Sequence, residues 1–218
     1  MTQFIAMKRQ RQPTLVPPHP RNKPSLESDS PSPSAMELLP LSTLLGTATA
    51  ASFISCTAPQ IATIEKAIVR ATERAYAVVE HLGANPNGSA LQTAYYGTFD
   101  RGRYSKILKA FRKMALDLDA VFAYECGCAS EVIIAHPSNT YGYTTLCTVY
   151  FDEGIVSAEG FWRQWSTLVH EATHFRELLD TRDHGYTPEV CKQLAKEDPV
   201  KAVGNADNHA NFAVEVLF

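Results

Sequence analysis

The sequence predicts an α+β domain rich in helix. Stretches beginning at Thr57 and near Tyr104 repeat apolar residues every three or four positions. Two short β-rich runs follow, and helical periodicity then returns for the rest of the chain. With 45% hydrophobic and 20% charged residues among 218, there is enough apolar mass for one sizeable core. No internal repeat and no second folded domain is visible.

Thr57 and Gln60 stand three apart, the spacing of a capping box, and open the first helix. Ile61, Ile64, Ile68, Ala71, Ala75, Val78 and Leu82 continue it as one apolar stripe, and Gly83 is its expected stop. The second helix runs from about Tyr104 to Leu118 on Ile107, Leu108, Phe111, Met114 and Leu118. Val132-Ile133-Ile134 and Leu146 to Phe151 read as strands of a hairpin turning near Gly142. From Ser157, Trp162, Trp165, Leu168, Val169, Ala172 and Phe175 give a broad apolar face, so this helix is expected to be largely buried. Thr187-Pro188-Glu189 supplies a cap and a first-turn proline for a helix ending before Pro199. A last short helix is expected over Ala206 to Val216.

The N-terminal part differs. Residues 1–35 hold seven of the 13 prolines and many serines, a composition expected to be disordered. In residues 36–52, Leu38, Leu39, Leu41, Leu44 and Leu45 precede small residues that include Ala48-Thr49-Ala50. That form fits a secretory signal with its cleavage site and is too short to span a bilayer. Glu37 stands where a positive charge is expected, and the alternative is an ordinary buried helix. The folded domain is placed at 53–218. Formal net charge is −3, divided as +3 in residues 1–35 and −6 in the remainder. Nothing in that balance points to nucleic acid.

Cysteine usage agrees with export. Cys56, Cys126, Cys128 and Cys147 can form two disulfides, and Cys191 reads as a buried inert thiol. Cys126 and Cys128 are too close for an ordinary bridge to each other, and the pairing is otherwise open.

The chemistry concentrates in His170-Glu171-Ala172-Thr173-His174. Histidines four apart share one helix face, so both imidazoles reach one metal ion. A glutamate next to the first histidine can hold a water there without ligating the metal, and act as general base. Two surface histidines on a polar face are the bland alternative. Leu168, Val169 and Phe175 oppose it, because they bury the helix and unpaired buried histidines are costly. A catalytic zinc needs a third protein ligand and an open position. Glu177, Asp180, Asp183 and His184 are near enough in sequence, and geometry alone does not choose between Asp180 and Asp183.

The segment Asp180-Thr181-Arg182-Asp183-His184-Gly185-Tyr186-Thr187 resembles the Gly-Thr-x-Asp-x-x-Tyr-Gly motif of the deuterolysin-like zinc peptidases, the aspzincins. The resemblance is strongest to their fungal peptidyl-lysine metalloendopeptidase branch. It extends through Ser166-Thr167-Leu168-Val169, Lys201-Ala202-Val203, Asn205-Ala206-Asp207-Asn208-His209 and the cysteine pattern. It implies a zincin-like α+β fold with a small sheet beside the active-site helix. It implies one zinc per chain on His170, His174 and Asp183, with Glu171 as base and Tyr186 as donor to the oxyanion. Disulfides Cys56–Cys126 and Cys128–Cys147 follow from it, as does a secreted, monomeric endopeptidase acting on proteins or peptides, with no membrane in the mature form. Asp180 and Thr187 replace the motif's glycines; the threonine is expected to be mild, because it is also a good helix cap. In the lysine-specific branch two acids line the pocket for the residue after the cut. Here Asp207 matches the first and Ala210 replaces the second, which predicts a weakened, broader preference for basic residues. The rival reading is a zinc-binding secreted or surface protein without turnover, which would need the histidines but neither Glu171 nor Tyr186.

Overall fold

The computed structural model describes residues 51–153, 156–157 and 162–216. The expected disordered stretch 1–35, and all but the end of the signal-like segment 36–52, lie outside them.

Seven helices and a small sheet make up the described residues. The first helix, α1 (Ala58–Ala84), begins as the capping spacing requires, with the Thr57 N–H donating to Gln60 Oε1 at 2.8 Å. Its buried face is Ile64, Ala67, Ile68, Ala71, Ala75, Ala77, Val78 and Leu82, the predicted stripe without Ile61 and with Ala67 and Ala77 added. The helix passes through Gly83 and ends at Asn85, whose side chain donates back to the His81 carbonyl at 2.8 Å. A short helix that periodicity did not reveal, α2 (Ala90–Tyr96), is capped by Ser89. The next, α3 (Arg101–Ala120), starts earlier than expected because Asp100 accepts from the Arg103 N–H at 2.8 Å. Its Ile107, Phe111, Met114 and Leu118 are buried, and it packs along α1.

The sheet has the order β1-β2-β4-β3, formed by β1 (Ser52–Ile54), β2 (Ala123–Cys128), β3 (Ala135–Pro137) and β4 (Tyr143–Cys147). β1, β2 and β4 run parallel; β3 pairs antiparallel with β4. The hairpin is where the sequence placed it, turning through Gly142 at φ 77°, but both strands are displaced from their expected positions. Residues 132–134 are irregular, and Thr148–Phe151 is a 3-10 turn. β4 escaped the apolar reading because two of its buried residues are Thr144 and Thr145. Disulfides join Cys56 to Cys126 and Cys128 to Cys147, and Cys191 is free and buried.

Val156–Ser157 (β5) and Trp162–Arg163 (β6) form a short parallel pair, so the helix expected from Ser157 begins later, as α4 (Gln164–His174). Every residue from Trp165 to Thr173 is buried. α4 packs against α1, β3 and the last helix, α7 (Ala206–Glu215). Between them lie α5 (Pro188–Glu197), opened by Thr187 and Pro188, and a short α6 (Pro199–Val203). The histidine motif is thus carried on the most enclosed helix, with its last turn at the end of the core.

Candidate active site

α4 stops one residue after its second histidine. Phe175 adopts φ −65°, ψ 133°, and its carbonyl accepts the N–H groups of Leu178, Leu179 and Asp180. Leu178 and Leu179 are buried and anchor this turn, while Glu177 and Asp180 are exposed. Asp180 at φ 54° reverses the chain so that the Thr181 N–H meets the Thr173 carbonyl at 3.2 Å. The chain then runs back beside the helix and delivers Asp183 to the histidines.

Asp183 Oδ1 lies 3.2 Å from His170 Nε2 and 3.5 Å from His174 Nε2. Tetrahedral zinc with bonds of 2.0–2.1 Å places its ligand atoms about 3.3 Å apart. The three side chains therefore already have ligand spacing, and all their donor atoms fall within 4.8 Å of one another. Two imidazoles and a carboxylate suit zinc, and three protein ligands leave a coordination position open for chemistry. Of the two aspartates that spacing left open, Asp183 lies beside the histidines and Asp180 faces Arg182 at 3.7 Å. Neither Glu177 nor His184 joins the group.

Each histidine is oriented through its other nitrogen. His174 Nδ1 lies 3.1 Å from the Thr181 carbonyl and 3.2 Å from Thr181 Oγ1, which in turn meets Thr173 Oγ1 at 2.9 Å. His170 Nδ1 lies 2.8 Å from Asp207 Oδ1. Such partners fix the tautomer and present Nε2 to the metal. The resemblance gave Asp207 a place in a substrate pocket; in the structure it faces His170. Asp207 is 4% exposed, and its second oxygen accepts from the Thr187 N–H at 3.2 Å and Asn211 Nδ2 at 3.3 Å. Both carboxylate oxygens are engaged within the protein. Its place in the first turn of a buried helix, across from α4, turns it inward, and sequence spacing on α7 alone does not reveal that partner.

Electrostatics follow from this crowding. Burial pushes the Glu171 carboxyl up to about 7; the charge of His170 draws it down, and Asp183 and Asp207 raise it. Burial works against a charged His170, yet its hydrogen bonds to Asp183 and Asp207 outweigh that and raise it. His174 is lowered by burial and by His170. Asp183 is held low by His170 and His174 against the opposing effect of burial. Burial and the hydrogen bond to Asp183 raise the Tyr186 hydroxyl, and the Tyr186 ring stacks on His170 at 6.2 Å between centroids. Glu171 and Tyr186 are thus both at the metal group.

A sequence profile of the aspzincin family, described as lysine-specific metallo-endopeptidase, matches residues 81–214, a span containing every residue of this site. The chain belongs to the aspzincins. It is accordingly a zinc metalloendopeptidase, and peptides are its substrates. A peptidyl-Lys metalloendopeptidase of Pleurotus ostreatus is 28% identical over 165 residues, covering 75% of this chain and 96% of that one. An extracellular protease of Aeromonas hydrophila is 31% identical over 130 residues, 59% of this chain and 36% of the relative. The solved structure of a zinc peptidase from Grifola frondosa superposes with a TM-score of 0.67 at 26% identity, covering 72% of this chain and 96% of that one.

Asp180 and Thr187, where this aspzincin departs from the motif's glycines, are two of the three non-glycine residues with positive φ among the described residues. Thr187 does cap α5, accepting from the Val190 N–H at 3.4 Å. Its φ of 67° with ψ 146° is nevertheless a region that suits glycine almost alone, so the replacement is not mild.

Sequence reasoning passed over Thr173, Thr181 and Asn205, all fully buried. For Asn205 the available signal was the run Asn205-Ala206-Asp207-Asn208-His209, whose four polar side chains are all buried at the start of α7.

Proposed function

We propose that this aspzincin binds one zinc ion per chain through His170, His174 and Asp183 and cleaves internal peptide bonds with Glu171 as general base. The observation that carries the proposal is the convergence of the two Nε2 atoms and Asp183 Oδ1 at ligand spacing, with Glu171 buried beside them. When bound, zinc supplies a Lewis acid that polarises the scissile carbonyl and makes water acidic enough to be a nucleophile near neutrality. Glu171 accepts a proton from the attacking water on its carboxylate and passes it to the departing amide nitrogen. Asp207 and Thr181 hold the two imidazoles in register. Tyr186 donates its hydroxyl hydrogen to the oxyanion of the tetrahedral intermediate, a contact worth several kcal/mol in comparable sites.

Residues 53–218 are the catalytic domain in this reading, acting as a secreted monomer free of the membrane. Export is supported by the two disulfides, by the apolar run before Ala48-Thr49-Ala50, and by a bacterial relative named an extracellular protease. Among the described residues no helix is long and apolar enough to cross a membrane. The relatives named for peptidyl-lysine cleavage support a preference for basic residues after the cut. Ala210 supplies no charge and Asp207 is committed to His170, which makes that preference broader than a pocket with two free acids would give.

The test is zinc content and casein cleavage for the wild type, Glu171→Gln, Asp183→Ala and Asp180→Ala. Glu171→Gln should keep zinc and lose cleavage, Asp183→Ala should lose both, and Asp180→Ala should keep both. Zinc in the wild type without cleavage would instead point to a zinc-binding protein.

A further inference from the structure

We infer that Asn205, which hydrogen-bonds none of the three proposed ligand side chains, is a positioning residue that locks the loop bearing Asp183 and Tyr186 into its ligand-ready geometry before any metal arrives. The inference rests on Asp183 and Tyr186 having the roles proposed above.

Asp183 is the least sheltered of the three metal-binding side chains, 39% exposed against 11% and 12% for the histidines. It also sits on a loop rather than a helix, with Arg182, Asp183 and His184 all exposed. A ligand on an exposed loop needs something else to hold it. The two residues after Asp183 are gripped by one side chain. Asn205 Oδ1 accepts the N–H groups of His184 at 2.8 Å and Gly185 at 3.2 Å, while its Nδ2 donates to the Gly185 carbonyl at 2.9 Å. Two donors on one side and a carbonyl on the other fix which end of the amide is oxygen. The side chain imitates a strand partner for the His184–Gly185 backbone, between Asp183 and Tyr186.

The backbone around Asn205 extends the grip. The Arg182 N–H donates to the Gly204 carbonyl at 2.8 Å, and the Ala206 N–H donates to the Arg182 carbonyl at 3.1 Å. Beyond Tyr186, the Thr187 N–H reaches Asp207 Oδ2 at 3.2 Å. Arg182, His184, Gly185 and Thr187 are therefore all tied to the turn between α6 and α7 or to the first turn of α7. That turn is itself immobilised: Asn205 Nδ2 also donates to Asn208 Oδ1 at 2.8 Å, and Asn208 Nδ2 donates to the carbonyls of Tyr95 at 2.6 Å and Cys191 at 3.0 Å. Asn205 and Asn208 are both 0% exposed, so water does not compete for these bonds. One turn of buried polar residues thus orients His170 through Asp207 and places Asp183 through Asn205. Small displacements of such groups are expensive for binding and for turnover alike.

The experiment compares Asn205→Ala with Leu118→Ala, a core truncation on α3 that removes no hydrogen bond from the loop. Thermal stability, zinc release into excess chelator, kcat and KM are measured for both. Asn205→Ala should speed zinc release and lower kcat by about tenfold or more, the scale seen when supporting partners of metal ligands are removed. Leu118→Ala should lower the melting temperature with zinc release and kcat near wild type. If Asn205→Ala lowers only stability, as Leu118→Ala does, the inference is wrong. A second measurement needs no variant: amide hydrogen exchange at His184 and Gly185 in zinc-stripped wild type. Strong protection supports a loop locked in advance, and free exchange overturns it. Asp183→Ala separates the two levels. If it keeps zinc, the ligand reading has failed; if it loses zinc while Asn205→Ala matches Leu118→Ala, only the positioning role has.

Discussion

Replacing Asp207 by asparagine distinguishes an acid that faces substrate from one that faces His170. The wild-type carboxylate accepts from His170 Nδ1 at 2.8 Å at a site 4% exposed. A hydrogen bond to a charged group contributes about 1.5–3 kcal/mol and a neutral one about 0.5–1.5 kcal/mol. Asparagine keeps the shape and one acceptor oxygen, so the expected loss at His170 is about 1 kcal/mol, or roughly five- to tenfold in zinc affinity. Its amide nitrogen would also face the Thr187 N–H and Asn211 Nδ2, donor against donor, which lowers stability further. Asp207→Ala leaves His170 Nδ1 without a partner and should cost roughly 10- to 100-fold in affinity. Competition with a chromophoric zinc chelator measures both variants, and cleavage-site profiling on a denatured proteome digest accompanies it. Reduced zinc affinity with an unchanged set of cleavage sites supports the orienting role. Unchanged zinc affinity with loss of a basic preference would refute it and return Asp207 to the substrate pocket.

Three other outcomes follow from the structure. Asp180→Gly and Thr187→Gly relieve positive φ values of 54° and 67°, and each should raise stability by about 1 kcal/mol in denaturant melts; the gain at Thr187 is reduced by loss of its cap. His209 is buried, which lowers it from 6.5 to about 4 against the opposing bond to the Val203 carbonyl. Its folded-state value is depressed, so the unfolded chain binds the extra proton first, and stability is lost as pH falls from 6.5 towards 4. That loss amounts to about 3 kcal/mol, and unfolding curves across this range should be flatter for His209→Gln; an identical slope refutes the assignment. Removing Cys56–Cys126, which closes 70 residues, should cost about 4 kcal/mol, and removing Cys128–Cys147, which closes 19, about 3 kcal/mol, checked by melting the paired serine variants.

Much of this protein is legible along the chain because its signals are local. The stripe on α1, the capping pair Thr57 and Gln60, the Thr187-Pro188 start of α5 and the spacing of His170 and His174 each involve residues within a few turns of one another. Backbone geometry alone makes such residues neighbours. The parallel pairing of β1 with β2 could not be read this way, since three residues near position 53 meet partners about 70 positions later. Nor could β4, whose buried threonines look polar until their neighbours in the sheet are known. The site divides along the same line. Two of the proposed ligands and the proposed base stand in one five-residue motif, and likeness to a family points to the third. Only the fold decides that Asp183, not Asp180, reaches the histidines, because that depends on a left-handed residue reversing the chain after α4. Only the fold turns Asp207 towards His170, because its partner lies 37 residues away on another helix. Helical periodicity reports which face of an element is buried; what that face meets is set by packing between elements distant in sequence.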